Sequence, residues 1–490
     1  MNVSDPPERP ATAGATPRLA SGVAVITGAK AWFVISGYAI YFGLTRMLGP
    51  DRFGLYAVVI SIVSVLNNVL IAASLQTVAR FVAKDGDRAG AVLRHAMRIQ
   101  LGVGGGLFLL LVVAAPWIGR WFRDPELVTP LRVAASIVFA YALYAVNVGF
   151  LNGRRLFPRQ AALDATYSTL KVAFILGAVA LGLGVTGAAA GFALAAFSIL
   201  AVSFLVLARE AKPGGAFDSS ALLRFGGWLL GLTLIANLVL SADLWVVKRL
   251  TDPATANETS GLYRAALTLS QLLYQMLIPL VLVVFPNLAR LGEQADPESA
   301  RAILRGALRY LAVTLPPAAA ILGVMGGDLV ALLYGEAYRP GGAWLALLAP
   351  AYALWTVTYL LGSALAGAGH PREGVAVLAL ALFGQVAFGA AAFGAIGPAG
   401  AALGDLAGMG LGLAAGLAVT TRRFGWFVPF ASIARGAAIA AGLGALAFFW
   451  PAVGAALVLK LAVLGALLLG ALAASGEIRL RRAPPAAQGA

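Results

Sequence analysis

Gly184-Val-Thr-Gly187-Ala-Ala-Ala-Gly191 and Gly397-Pro-Ala-Gly400-Ala-Ala-Leu-Gly404 repeat three glycines at one spacing, 213 positions apart and without a gap. Two further pairs precede them in the same order. Ala140-Tyr-Ala-Leu143, Leu151-Asn-Gly153 and Pro158-Arg159 correspond to Ala351-Tyr-Ala-Leu354, Leu365-Ala-Gly367 and Pro371-Arg372, at offsets of 211 to 214. Arg46 to Leu48 with Gly54-Leu-Tyr56 corresponds to Lys248 to Leu250 with Gly261-Leu-Tyr263, the later copy being five residues longer between its two parts. Self-similarity at a fixed period marks a duplicated architecture. The chain therefore reads as two homologous lobes joined by a short polar hinge.

What the lobes are made of follows from composition. Of 490 residues 60% are hydrophobic and 12% charged, and mean hydropathy is +0.86, which excludes a soluble globule. Apolar runs long enough to cross a bilayer, about 18 residues or more, follow one another almost end to end. The net charge of +15 lies in the connections between runs, where membrane topology explains it, so nucleic acid is not an expected partner. With no cysteine and two histidines, His95 and His370, neither disulfides nor a thiolate or histidine metal cluster can form, and no metal or cofactor is expected.

The expected fold is all-α and polytopic, with about 14 transmembrane helices in two parallel six-helix lobes plus two C-terminal helices. Residues 1–20 form a disordered tail; 21–208 the first lobe; 209–220 the hinge; 221–421 the second lobe; 430–475 the last two spans; and 476–490 a second tail. Lys and Arg divide 24 to 9 between the two sets of connections, leaving Lys30, Lys171 and Lys460 inside spans, so both termini and the hinge are cytoplasmic. An even number of spans per lobe makes the lobes parallel, related by a two-fold axis along the membrane normal, with a substrate path between them.

No His-Glu-x-x-His, Gly-x-Ser-x-Gly or P-loop pattern occurs, and every loop is short, which disfavours an enzyme. Polar side chains inside spans are the informative ones, because a charge near the centre costs roughly 2.5 to 3.5 kcal/mol on insertion scales. At 100° per residue, Thr27, Lys30, Gly37, Tyr41 and Thr45 of span one share an arc of roughly 80°. Ser61, Ser64, Asn68 and Gln76 of span two share roughly 120°; Asn237, Ser241 and Lys248 of span seven roughly 40°; Arg264, Thr268, Gln271 and Gln275 of span eight roughly 60°. These helices are corresponding pairs of the two lobes. Lys171 shares a face with Asp164, and Asp243 and Asp405 lie off the stripes; these four read as interhelical ties or coupling groups.

The stretch Arg46-Met-Leu-Gly-Pro-Asp-Arg-Phe-Gly-Leu-Tyr56 resembles the junction of the first two helices of bacterial oligosaccharide flippases, the polysaccharide-export branch of the MOP superfamily. Ala242-Asp243-Leu-Trp and Gly261-Leu-Tyr-Arg-Ala265 are similar to that family's seventh and eighth helices. The resemblance implies a polyprenyl-diphosphate-linked oligosaccharide carried across the inner membrane by alternating access through a cationic cavity lined by helices one, two, seven and eight. It implies membrane lipids and polysaccharide polymerase or export machinery as further partners. Drug-extruding relatives keep acidic residues in the first helix; this span has only Lys30, which favours an anionic cargo. The expected cavity then carries Lys30, Lys248 and Arg264, with Arg80 at its cytoplasmic rim, Arg46 at its outer rim, and Tyr41, Asn68, Gln271 and Gln275 along its walls. A diphosphate would exchange water for charge-assisted bonds there. The alternatives are a lipid II flippase and, from another class, a membrane glycan polymerase or ligase.

The 24 to 9 partition makes a topological prediction. Single cysteines at Pro50, Pro253 and Arg339 should react with an impermeant maleimide in intact cells, and cysteines at Arg154, Arg209 and Arg422 should not. Labelling at Arg209→Cys would reverse the orientation.

Overall fold

Apolar runs in a bilayer must satisfy their own backbone groups, so they fold as helices. The computed structural model describes residues 16–84, 86–208, 220–275, 277, 297–452 and 454–475. Fifteen α-helices and no strand occur among them. In chain order these are α1 Thr16–Lys84, α2 Ala89–Trp121, α3 Val128–Gly153, α4 Phe157–Ala180, α5 Gly184–Leu207, α6 Ser220–Val239, α7 Ala242–Leu250 and α8 Ala256–Gln275. Then come α9 Pro297–Val324, α10 Gly326–Tyr334, α11 Leu345–Gly367, α12 Pro371–Ile396, α13 Pro398–Phe424, α14 Phe430–Phe449 and α15 Ala455–Ala474. Helix α1 starts at Thr16, inside the segment expected to be a tail. Residues 1–15, most of the expected hinge and residues 476–490 lie outside the described residues.

Eleven helices among the described residues are long and apolar enough to cross a membrane. The first, Trp32–Lys84, is two crossings in one: Gly49 breaks it at φ 72°, and Pro50 follows without an N–H to continue the ladder. Helices α6 and α7 form one further crossing bent by 44°. Helix α8, 20 residues long, is not among the helices apolar enough to cross on their own. The protein is a polytopic, all-α, multi-pass membrane protein.

The glycine repeat has a structural counterpart in each half. Gly184 and Gly397, its first members, both take left-handed backbone conformations, φ 59° and 60°, and each sits at the N-terminus of the helix that turns back against its predecessor. The third members close the packing. A Cβ on Gly191 would lie 2.3 Å from the Phe174 carbonyl oxygen of α4, and one on Gly404 would lie 2.6 Å from the Gln385 carbonyl oxygen of α12.

The repeat pair that contains Gly54 and Gly261 joins the halves to each other. A Cβ on Gly54 would lie 1.8 Å from the Asn257 carbonyl oxygen, and one on Gly261 would lie 2.0 Å from the Pro50 carbonyl oxygen. Asn257 precedes Gly261 by four residues, as Pro50 precedes Gly54. The contact is reciprocal between equivalent positions, the signature of a local two-fold axis.

Side chains reinforce that end of the bundle. The Lys248 ammonium, 1% exposed, lies 2.7 Å from an Asp124 carboxylate oxygen and 2.5 Å from the Asn257 side-chain oxygen. Arg123 donates to the carbonyls of Arg249 and Thr251 at 2.7 and 2.8 Å. The Tyr338 hydroxyl donates to the Thr45 carbonyl at 3.2 Å, and Arg46 to the Leu332 carbonyl at 3.4 Å. The loops after the first and seventh crossings thus each meet an element of the opposite half: Pro50 meets α8, and the α7–α8 loop meets Arg123 at the end of α2. The Gly49 end of the molecule is closed.

Removing one member of a buried ion pair strands the other, a loss of about 3–5 kcal/mol. Lys248→Met should therefore lower the thermal unfolding temperature of the purified protein. Adding Asp124→Leu should recover much of the loss, and a double mutant no more stable than Lys248→Met would contradict the pairing.

Candidate functional site

Between the halves, α1 packs on α8 and α6, with Tyr41 of its first arm and Gly54 of its second both against α8. The polar stripes meet there. Asn68 donates to the Asn237 side-chain oxygen at 2.8 Å, the Trp245 indole N–H to the Ser61 hydroxyl at 2.8 Å, and Gln275 to the Tyr38 hydroxyl at 2.7 Å. Each bond joins one half to the other. Gln271 is held by the second half alone, donating to the Leu240 carbonyl at 3.2 Å and to the Tyr352 hydroxyl at 3.3 Å.

These contacts enclose a polar cavity of about 240 Å³ lined by Tyr41, Ser61, Ser64, Asn68, Asn237, Ser241, Arg264 and Gln271, with Ala57, Ile60, Val65 and Leu240. Arg264 supplies its charge. One guanidinium nitrogen donates to the Tyr41 hydroxyl at 3.0 Å, and the guanidinium carbon lies 5.4 Å from the centre of the same ring. Among the described residues no carboxylate lies within ion-pair distance of Arg264. A guanidinium carries five N–H donors in a planar fork, so one bond to tyrosine leaves donors for a phosphate.

Of the nine residues expected to bind substrate, the structure brings Tyr41, Asn68, Arg264 and Gln271 together in this cavity, with Gln275 bonded to Tyr38 nearby on the same helix face. Lys248 is elsewhere, in the closed end with Asp124. The helical projection that aligned it with Asn237 assumes one straight helix, whereas the chain bends by 44° between α6 and α7. Arg46 is exposed at the closed end, and Arg80 is exposed one turn before the end of α1. Lys30 lies in α1, with its side chain outside the described residues.

The four remaining polar residues fall into two places. Asp243 and Asp405 are fully buried where α7 packs on α13. Asp243 accepts from the Leu244 N–H at 2.8 Å, and Asp405 lies beside Asp243, Gln385 and Tyr263. Lys171 and Asp164 line a second cavity, of about 420 Å³, inside the first half. Lys171 is surrounded by the rings of Phe192, Phe33 and Tyr167, at 5.1, 5.7 and 5.7 Å from their centres. Tyr41, Ile60, Ser64 and Asn68 line both cavities, so the two adjoin.

Sequence reasoning missed Asp124, Asn257 and the packing of Tyr141 and Tyr144 against Tyr167 in the first half, a cluster whose rings lie 5.3 to 6.3 Å apart. Asp124 carries no local signal, because its partner is 124 residues away. For the tyrosines, spacing of three between Tyr141 and Tyr144 was a usable sign of a shared helix face.

A family described as polysaccharide biosynthesis protein matches residues 44–341, more than half of the chain. No curated protein matches the sequence. Among solved structures, the lipid II flippase MurJ in an inward closed conformation is similar with a TM-score of 0.73 and 12% identity, over 92% of this chain and 98% of that one. An inward-facing multidrug resistance MATE family transporter of the MOP superfamily gives 0.67 and 16%, over 80% and 94%. A MOP superfamily transporter from Pyrococcus furiosus gives 0.60 and 15%, over 83% and 94%. At such identities the likeness concerns the fold. The chain belongs to the polysaccharide biosynthesis protein family and has the fold of the MOP superfamily of transporters.

Proposed function

We propose that the protein is a flippase that carries a polyprenyl-diphosphate-linked oligosaccharide across the bacterial inner membrane by alternating access, for surface polysaccharide synthesis. The observation that carries this reading is Arg264: a guanidinium inside a membrane protein, held by Tyr41 in a polar cavity between the halves, with no carboxylate paired to it among the described residues. A charge placed there at a cost of a few kcal/mol awaits an anion, and a diphosphate supplies two acceptor groups for its fork. The lysine- and arginine-rich connections support a cytoplasmic position for both termini. The Gly49 end then faces outward, and the described state is shut on that side. The two six-helix units, 21–208 and 221–421, would rock about the axis between Gly54 and Gly261, exposing the cavity to each side in turn.

Asp243 and Asp405 suit the coupling step. Two carboxylates buried together, with Gln385 and Tyr263 beside Asp405, form a place where a cation or proton can be taken up and released as α7 moves against α13.

The test is reconstitution. Purified protein in liposomes should move a fluorescent undecaprenyl-diphosphate-linked trisaccharide between leaflets. Arg264→Ala should slow transfer at least about tenfold and Arg264→Lys less, since lysine keeps the charge but loses the fork. Lipid II serves as the competing cargo, and preferential transfer of lipid II would favour the peptidoglycan reading. Elongation or transfer of the glycan without transbilayer movement would instead favour the polymerase or ligase reading.

A separate measurement addresses coupling. Asp405→Asn should abolish any stimulation of transfer by an imposed ion or proton gradient while leaving downhill exchange measurable. Full gradient stimulation in Asp405→Asn would remove this residue from the coupling step.

A further inference from the structure

We propose that the cavity inside the first half is the sugar subsite of the transporter, and that Lys171 makes it selective for a glycan bearing a carboxylate. The inference rests on the flippase reading and specifies the cargo within it.

The lining has the chemistry of carbohydrate recognition. A sugar ring offers apolar C–H faces and a rim of hydroxyls, so it calls for aromatic surfaces with planar polar groups beside them. Tyr141, Tyr144 and Tyr167 supply the first, in mutually tilted and edge-on arrangements that present ring faces in several directions. Asn67, Gln160 and Asp164 supply the second. Asn67 is 7% exposed, yet its side-chain oxygen has no hydrogen-bond partner among the described residues. Such an acceptor is costly to bury and is satisfied by a hydroxyl donor.

Lys171 gives the cavity its sign. Its ammonium lies within 5.7 Å of three ring centres and within ion-pair distance of no carboxylate among the described residues. Asp164, the acid on the same helix and the same cavity, is two turns away, and the Tyr144 hydroxyl donates to it at 3.5 Å. Cation–π contacts orient the ammonium without neutralising it, so its field is available to a bound anion. A second anion besides the diphosphate is required, because the diphosphate is matched to Arg264 in the adjoining cavity, and the two cavities share Tyr41, Ile60, Ser64 and Asn68. A glycan attached to a diphosphate at Arg264 would extend past those residues toward Lys171. An acidic sugar, such as a uronic acid, places a carboxylate there.

The repeat shows that the cavity is not an automatic product of the fold. At the 213-residue offset, Lys171 corresponds to Gly384 and Phe192 to Asp405. In the second half that place is filled by backbone: a Cβ on Gly384 would lie 2.9 Å from the Gly408 Cα. Only in the first half do bulky aromatic residues and a cation frame an open space at this position.

The test uses soluble probes on the full-length protein in nanodiscs: a glucuronic-acid-terminated disaccharide and its neutral glucose counterpart, with binding followed by ligand-observed NMR. The acidic disaccharide should bind about tenfold tighter or more, the range of one charge-assisted hydrogen bond. Lys171→Met should erase that preference while leaving the neutral affinity within about twofold, and Lys171→Arg should retain it. Tyr144→Leu should weaken both probes. Equal binding of the two probes to the unaltered protein, or a preference that survives Lys171→Met, would overturn the inference. Transfer of a neutral and an acidic lipid-linked trisaccharide in liposomes separates the two levels: equal transfer of both overturns the selectivity alone, whereas transfer of neither overturns the flippase reading on which it rests.

Discussion

The reciprocal contact of Gly54 with Gly261 is the constraint on which the architecture depends. Each backbone presses into the turn that precedes the other glycine, so the halves meet with no side chain between them. Because the positions are repeat equivalents, the local axis runs between them, and every other contact across the halves is arranged around it. Lys248 with Asp124, Arg123 with the end of α7, and Tyr338 with Thr45 then lie close enough to bond. A methyl group on either glycine would overlap a carbonyl oxygen and push the halves apart before any of those bonds could form.

Away from that end the interface changes character. The bonds of Asn68 with Asn237, Ser61 with Trp245, and Tyr38 with Gln275 are neutral and single. Each contributes about 1 kcal/mol, so they align the halves without welding them. The charged groups are set differently. Lys248 is neutralised by a carboxylate, whereas Arg264 and Lys171 are steadied by aromatic rings and left electrically open. One kind of cation closes the molecule and the other faces its cavities.

The helices and the duplication were legible in the sequence because both rest on local rules: apolar length makes the span, and a glycine turn followed by small-residue packing makes the repeat. The stripe of α8 was also legible, since an unbroken helix keeps its angular order and Arg264 and Gln271 do line one cavity. Lys248 was not. The segment Leu238-Val-Leu-Ser241-Ala-Asp243 contains neither Gly nor Pro, the residues that announce a break, and tertiary hydrogen bonds hold the bend open instead. The setting of Lys171 was half legible: Tyr167 lies on its own helix face, but Phe33 and Phe192 arrive from other helices, which no periodicity can foresee.

That same bend has a mechanical meaning. Where α6 gives way to α7, the carbonyls of Val239 and Leu240 accept from Gln385 of α12 and Gln271 of α8. An intact helix resists torsion through its whole ladder, whereas here two carbonyls leave the ladder for amide side chains of other helices and the Ser241 N–H reaches back to the Leu238 carbonyl at 3.0 Å. The bend is therefore a joint at which the helix ladder is interrupted, with Asp243 on one side of it and Asn237, in the wall of the cavity, on the other.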